Sequence, residues 1–180
     1  MKSGVAFGLI GLLLSMAPAR AVETEMELCQ STAENTVIRA ANCDLAIRLG
    51  DLSKEEMIVA LYNRGQSALV AEHADRAVAD FDAVLKLNPD DKEALLGRAI
   101  SRRQLKQFDG SLADFDALVA QTNGQPAAKI YLQRSMTHYM AGNKQKSLVD
   151  LRRAKELDPK DPVIADRLWK TERLIEQEGK

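Results

Sequence analysis

Few side chains in this 180-residue sequence are of types that could do chemistry, and their spacing decides what that chemistry is. Cys29 and Cys43 could form a disulfide, act as a redox pair or hold a metal. They are not spaced C-x-x-C and no histidine lies nearby, so the expected role is a structural staple. It would close a loop of about 14 residues and be worth roughly 3 kcal/mol by chain entropy. The two histidines, His73 and His138, stand far apart; no serine has a nucleophile-elbow setting and no G-x-x-x-x-G-K-S/T string occurs. The acid pairs Asp80 with Asp82 and Asp114 with Asp116 fall two residues apart, which on a helix points them away from each other. The sequence therefore predicts no catalysis, no metal and no cofactor.

Arg64, Arg98 and Arg134 recur at a near-constant interval, as do Asp80, Asp114 and Asp150. Recurrence of both sets predicts Arg to Asp pairs that link helices. The alternative, a ladder of guanidinium groups for an anionic polymer, requires the acids to lie elsewhere.

The elements that must position these groups are themselves repeated. The string AVADFDAVL around Phe81 returns as SLADFDALV around Phe115, 34 residues on. Placing Gly65 in register with Ala99 and Ser135 aligns three units, residues 58–91, 92–125 and 126–161. The small residues Ala77, Ser111 and Ser147, the large Phe81, Phe115 and Leu151, and then Val84, Leu118 and Ala154 follow at helical spacing. Small residues let two antiparallel helices approach, and the large one fills the space to the next unit. The third unit needs two extra residues, which the loop around Thr122 to Pro126 absorbs. Ser53 with Glu56 predicts a capping box, Asp90 or Asp91 a cap after Pro89, and Asp161-Pro162 the start of a final helix over roughly 162–177. In residues 162–180, Val163, Ile164, Leu168, Trp169 and Ile175 are expected to cap the array, with Trp169 sealing the last unit.

This arrangement resembles the tetratricopeptide repeat family, whose unit carries a small residue in its first helix, a small residue and an aromatic in its second, and a proline near its end, as at Pro89 and Pro159. The resemblance implies an all-α fold, a right-handed superhelical array of antiparallel helix pairs whose first helices line a concave groove. Upstream, CDLAIRLGD from Cys43 lines up with FDAVLKLNP from Phe81, so residues 22–57 are expected to supply a half repeat holding Cys29 and Cys43. The family's large aromatic early in the first helix is absent, with Leu61, Leu95 and Tyr131 in its place, and its second aromatic is replaced by Ala68, Arg102 and His138.

Residues 1–21 read as a cleavable signal peptide: Lys2, then an apolar run from Val5 to Met16, then an A-x-A site ending at Ala21. A periplasmic or secreted protein is expected, with no stable membrane insertion after cleavage. The 25 basic and 26 acidic residues are interspersed, which makes nucleic acid a poor partner.

The resemblance places Val59, Tyr62, Gln66 and Leu69 of the first unit on the groove, followed by Leu96, Ile100, Arg103 and Gln104 of the second. Lys129, Leu132, Met136, Tyr139 and Met140 complete it from the third, an apolar, methionine-rich surface suited to an extended or helical peptide. At the five positions with which some family members clamp a terminal carboxylate stand Tyr62, Gln66, Gly97, Lys129 and Gln133, and only Lys129 is of the right type. Arg103 and Lys129 could still meet an acidic side chain. The expected function is a non-enzymatic scaffold of the cell envelope that binds an unidentified protein or peptide. The alternatives are a self-associating structural protein and a regulatory subunit of an envelope enzyme.

Overall fold

A computed structural model describes residues 17–31 and 35–178, so most of the expected signal peptide, residues 1–16, lies outside the described residues. All regular structure among the described residues is helical: α1 (Ala17–Gln30), α2 (Thr36–Leu49), α3 (Lys54–Val70), α4 (Ala74–Leu87), α5 (Lys92–Gln104), α6 (Phe108–Ala120), α7 (Gln125–Met140), α8 (Lys144–Leu157) and α9 (Pro162–Glu178). Each helix packs on its neighbours in sequence, and α1 also touches α3 and α3 touches α5, the contact pattern of a stacked array. No helix among the described residues is long and apolar enough to cross a membrane.

Local chemistry sets the helix ends. Ser53 accepts a bond from the Glu56 amide at 3.2 Å while the Ser53 amide donates to Glu56 Oε2 at 2.8 Å, the reciprocal capping box. The Asp91 carboxylate accepts from the Ala94 amide at 2.9 Å, and Asp161 does the same for Val163 and Ile164. Within each hairpin the turn is the same device: Glu72, Lys106 and Gly142 adopt positive φ. The next amides, of His73, Gln107 and Asn143, each bond the carbonyl five residues back at 2.8 Å.

The central core is built from the repeated large residues. Phe81 and Phe115 are fully buried with Val84, Leu118, Leu95 and Ala99 around them, and Tyr62 meets Phe81 edge-on with ring centroids 5.9 Å apart. The glycines of the first helices exist to admit Phe81. A Cβ on Gly65 would lie 3.2 Å from the ring and one on Gly97 only 2.4 Å from Cζ.

The N-terminal segment contributes two helices rather than the second helix alone. Val22, Met26 and Cys29 of α1 close on Cys43 and Ala46 of α2 and Ala60 of α3. Cys29 and Cys43 are disulfide-bonded with Cα atoms 4.7 Å apart, and both are fully buried. At the other end the expectation for Trp169 is overturned: it is 58% exposed, with the Arg173 guanidinium over its ring. Ile164, Leu168 and Thr171 face the array instead, because they share one stripe of α9 and Trp169 falls one residue past it.

Gly97→Ala is expected to destabilise the protein by about 1–3 kcal/mol in urea unfolding, since Phe81 has no space to withdraw into. Reducing the Cys29–Cys43 bond should cost roughly 3 kcal/mol, read as a lower unfolding midpoint in dithiothreitol that a Cys29→Ser, Cys43→Ser variant reproduces without reductant.

Candidate functional site

The Arg and Asp repeats are consumed inside the array. Arg64 donates through Nε and Nη2 to Asp80 at 3.0 and 2.6 Å, and Arg98 and Arg134 grip Asp114 and Asp150 in the same way. The third nitrogen, Nη1, reaches back to the preceding helix pair: Arg64 to Asp44 at 2.8 Å, Arg98 to Asp82 and Arg134 to Asp116 at 2.6 Å. The two acids spaced two residues apart therefore serve different arginines. The bond to Asp80 raises the pKa of Arg64, and the bond to Asp150 raises that of Arg134. Burial works against the charge of Arg98, but its bonds to Asp114 and Asp82 outweigh it. With its acids bound this way, the ladder presents no free guanidinium stripe to an anionic polymer.

The histidines form no catalytic pair. His73 stands exposed at the head of α4, while His138 on α7 lies 3.9 Å from Asp150, its pKa pushed down first by burial, with Asp150 opposing.

The first helices α3, α5 and α7 divide the expected groove residues into three sets. In the first unit the side chains are partly spent on packing. Val59 lies against the N-terminal cluster, Leu69 against the central one, and the Tyr62 hydroxyl accepts from Gln66 Nε2 at 2.9 Å. In the middle, Leu96 and Ile100 of α5 and Lys129 of α7 line one cleft of about 650 Å³, together with Lys92, Glu93, Pro126, Ile130, Thr122 and Gln133. At the far end, Met136 and Tyr139 line a smaller hollow of about 190 Å³ with Arg167, Lys170 and Thr171 of α9. Met140 and Gln104 are exposed. Leu132 is a correction: it is 9% exposed and belongs to the C-terminal core with Leu151 and Ile164.

The two extra residues of the third unit lengthen α7 rather than the loop before it: the connections 88–91 and 121–124 both have four residues, whereas α5 has 13 and α7 has 16. α3 and α5 touch directly, whereas α5 and α7 stand further apart, with the loop of residues 121–124 between α6 and α7. Two buried polar atoms of the cleft residues, Thr122 Oγ1 and Gln133 Oε1, have no hydrogen-bond partner. Each such group costs about 1–3 kcal/mol while unpaired. Beside them Arg103 is 8% exposed and donates Nη1 to the Gln133 carbonyl at 3.0 Å, but it has no carboxylate partner among the described residues. Burial pushes its pKa down and the like charge of Arg167 adds to this. The cleft thus combines an apolar floor with two residues whose buried polar atoms are unpaired, lined by Lys92 and Lys129 and by Glu93 and Asp158, while the nearly buried Arg103 lies behind it against the Gln133 carbonyl. Gln133 and Thr122 carry no sequence signal.

A sequence profile described as tetratricopeptide repeat matches residues 62–128, the span from α3 to the start of α7. Over 166 residues the chain is 24% identical to human sperm-associated antigen 1, covering 92% of this chain but only 18% of that protein. The chain spans less than a fifth of the length of the curated relative it matches. Among solved structures, MamA 41-end from Desulfovibrio magneticus RS-1 superposes with a TM-score of 0.73 at 21% identity, over 88% of this chain and 86% of that one. The first TPR of Spaghetti (RPAP3) bound to the HSP90 peptide SRMEEVD gives 0.61 at 19% identity, over 70% and 98%. The profile identifies tetratricopeptide repeats over residues 62–128, and the structural likenesses show an α-solenoid fold over most of the described chain.

Asp114→Asn should lower stability by about 2–4 kcal/mol in denaturant unfolding, because it leaves Arg98 and Arg102 buried against a neutral amide. Unchanged stability would remove the pairs from any structural role.

Proposed function

We propose that this protein is an exported, non-enzymatic adaptor of the cell envelope that holds a peptide segment of a partner protein in the cleft between α5 and α7. The observation that carries this reading is the pair of unsatisfied buried acceptors, Thr122 Oγ1 and Gln133 Oε1, beside the apolar Leu96 and Ile100. A peptide main chain offers amide donors for such atoms, and its side chains offer the apolar surface to cover the floor. Arg103 and Lys129 add a preference for an acidic residue in the peptide. The complex of Spaghetti with SRMEEVD, an acidic peptide held on the same fold, lends support to that class of ligand.

Export rests on the N-terminal charge and apolar pattern of residues 1–21, and the buried Cys29–Cys43 disulfide is in keeping with an oxidising compartment. Affinity would come from burial of apolar area, at about 25 cal/mol per Å² before ordering costs, rather than from the exposed charges.

Selection of peptides from a displayed random library on residues 22–180 tests the reading. The expected winners carry an acidic residue flanked by apolar ones. Ile100→Asp should abolish their binding, and Arg103→Ala should weaken it about tenfold with circular dichroism unchanged. Winners that bind Ile100→Asp as well as the native protein would refute the cleft as the site. Sedimentation showing concentration-dependent association lost in Ile100→Asp would instead identify the groove as a self-association surface.

A further inference from the structure

On the side of α3 away from Tyr62 and Gln66, a second hollow of about 560 Å³ opens between α2, α3 and α4. Its walls are small and apolar, chiefly Val37, Ala40, Ala41, Ala68 and Ala71, and its lining includes Asp44 and Asp80. The repeat explains why it is open. Ala68 is in register with Arg102 and His138 of the later units. In the second unit Arg102 fills the corresponding place: its Nη1 donates to Asp114 at 2.9 Å and to the Gly110 carbonyl at 3.4 Å, and its Nη2 lies 3.7 Å from Asp82. In the third, His138 approaches Asp150. The first unit keeps both acids, Asp44 for Asp82 and Asp80 for Asp114, but Ala68 puts no side chain over them; Arg48 takes the second oxygen of Asp44 at 3.1 Å and Arg39 donates to Ser67 in the lining at 3.3 Å, which leaves Asp80 as the open acid.

We propose that this hollow is a binding site for the guanidinium side chain of an arginine presented by a partner protein. The second unit is an internal copy of the bound state. Asp114 takes two bonds from Arg98 and still accepts a third from Arg102. Asp80 takes the same two from Arg64 and has that third position open. The alanines and Val37, itself 69% exposed at the rim, supply the apolar contact that the aliphatic stem of an arginine requires. A planar fork fits the place because a planar fork already occupies its copy. Arg76 stands where Gly110 makes room for Arg102; it is exposed and forms no ion pair among the described residues, so its charge opposes entry without closing the site. This site is independent of the cleft between α5 and α7.

The test is a nuclear magnetic resonance titration of residues 22–180 with N-acetylarginine amide, read at the amides of Ala68, Ala71 and Asp80. A single gripped side chain should bind in the range of about 1–10 mM. The isosteric N-acetylcitrulline amide should bind at least tenfold more weakly, and Arg76→Ala should tighten the arginine probe. Ala68→Arg combined with Arg76→Gly should abolish binding and raise the unfolding midpoint by reproducing the second unit, where Gly110 makes room for Arg102, and Ala41→Leu, on an exposed wall, should abolish it without depending on that refilling. Equal binding of the citrulline probe, unaltered binding in both filled variants, weaker binding in Arg76→Ala, or no localised shifts would each overturn the proposal. Free L-arginine bound over tenfold tighter than the amide probe would overturn the partner protein as the source.

Discussion

One guanidinium in three places holds this array together. Each of Arg64, Arg98 and Arg134 closes its own hairpin with two parallel bonds to an aspartate and reaches the preceding hairpin with a third. The aspartates that take the paired bonds are nearly buried, with side-chain exposures of 9, 5 and 4%. A carboxylate at that depth is tolerable only because the fork satisfies it, and the fork is fixed only because the carboxylate is rigid. Apolar packing of Phe81 and Phe115 supplies cohesion, but it is not directional. The ion pairs supply the direction, tying each helix pair to the one before it through the same Nη1 bond.

Much of this was legible in the sequence because repetition makes a physical demand visible three times. A glycine or serine recurring where helices cross, an aromatic recurring where units meet, and an arginine recurring in step with an aspartate each have one economical explanation, and the structure agrees with all three. Features that occur once were harder. Trp169 looked like a plug on composition alone, yet a shift of one residue on α9 puts it in solvent and leaves the sealing to Ile164. Gln133 and Thr122 gave no signal because an unpaired polar atom is a property of the assembled cleft, not of the residue type. The groove list drawn from the resemblance was too even: Leu132 belongs to the core, and Met136 and Tyr139 belong to a hollow shared with α9. The position shared by Ala68, Arg102 and His138 read as a departure from the repeat pattern, whereas its meaning lay in the differences among the three units themselves.

The N-terminal pair shows how an irregular unit joins a regular one. Cys43 stands where the later units have phenylalanine or leucine, and a disulfide to α1 occupies the volume an aromatic ring would fill. Covalent closure there adds to the apolar burial of Val22, Met26, Ala46 and Ala60. Asp44, one residue on, nonetheless keeps the acid that the first arginine needs, so the ladder begins inside a unit whose core is of another kind.

The ladder also has a polarity. Each arginine looks backward for its second aspartate, so the rule for adding a unit is that the last second helix must offer an acid at the place of Asp82 and Asp116. At that place in α8 stands Arg152, and it meets Glu172 of α9, the charges reversed. The backward reach of the ladder thus stops at α8, where the sign of the charge is inverted and its partner comes from α9.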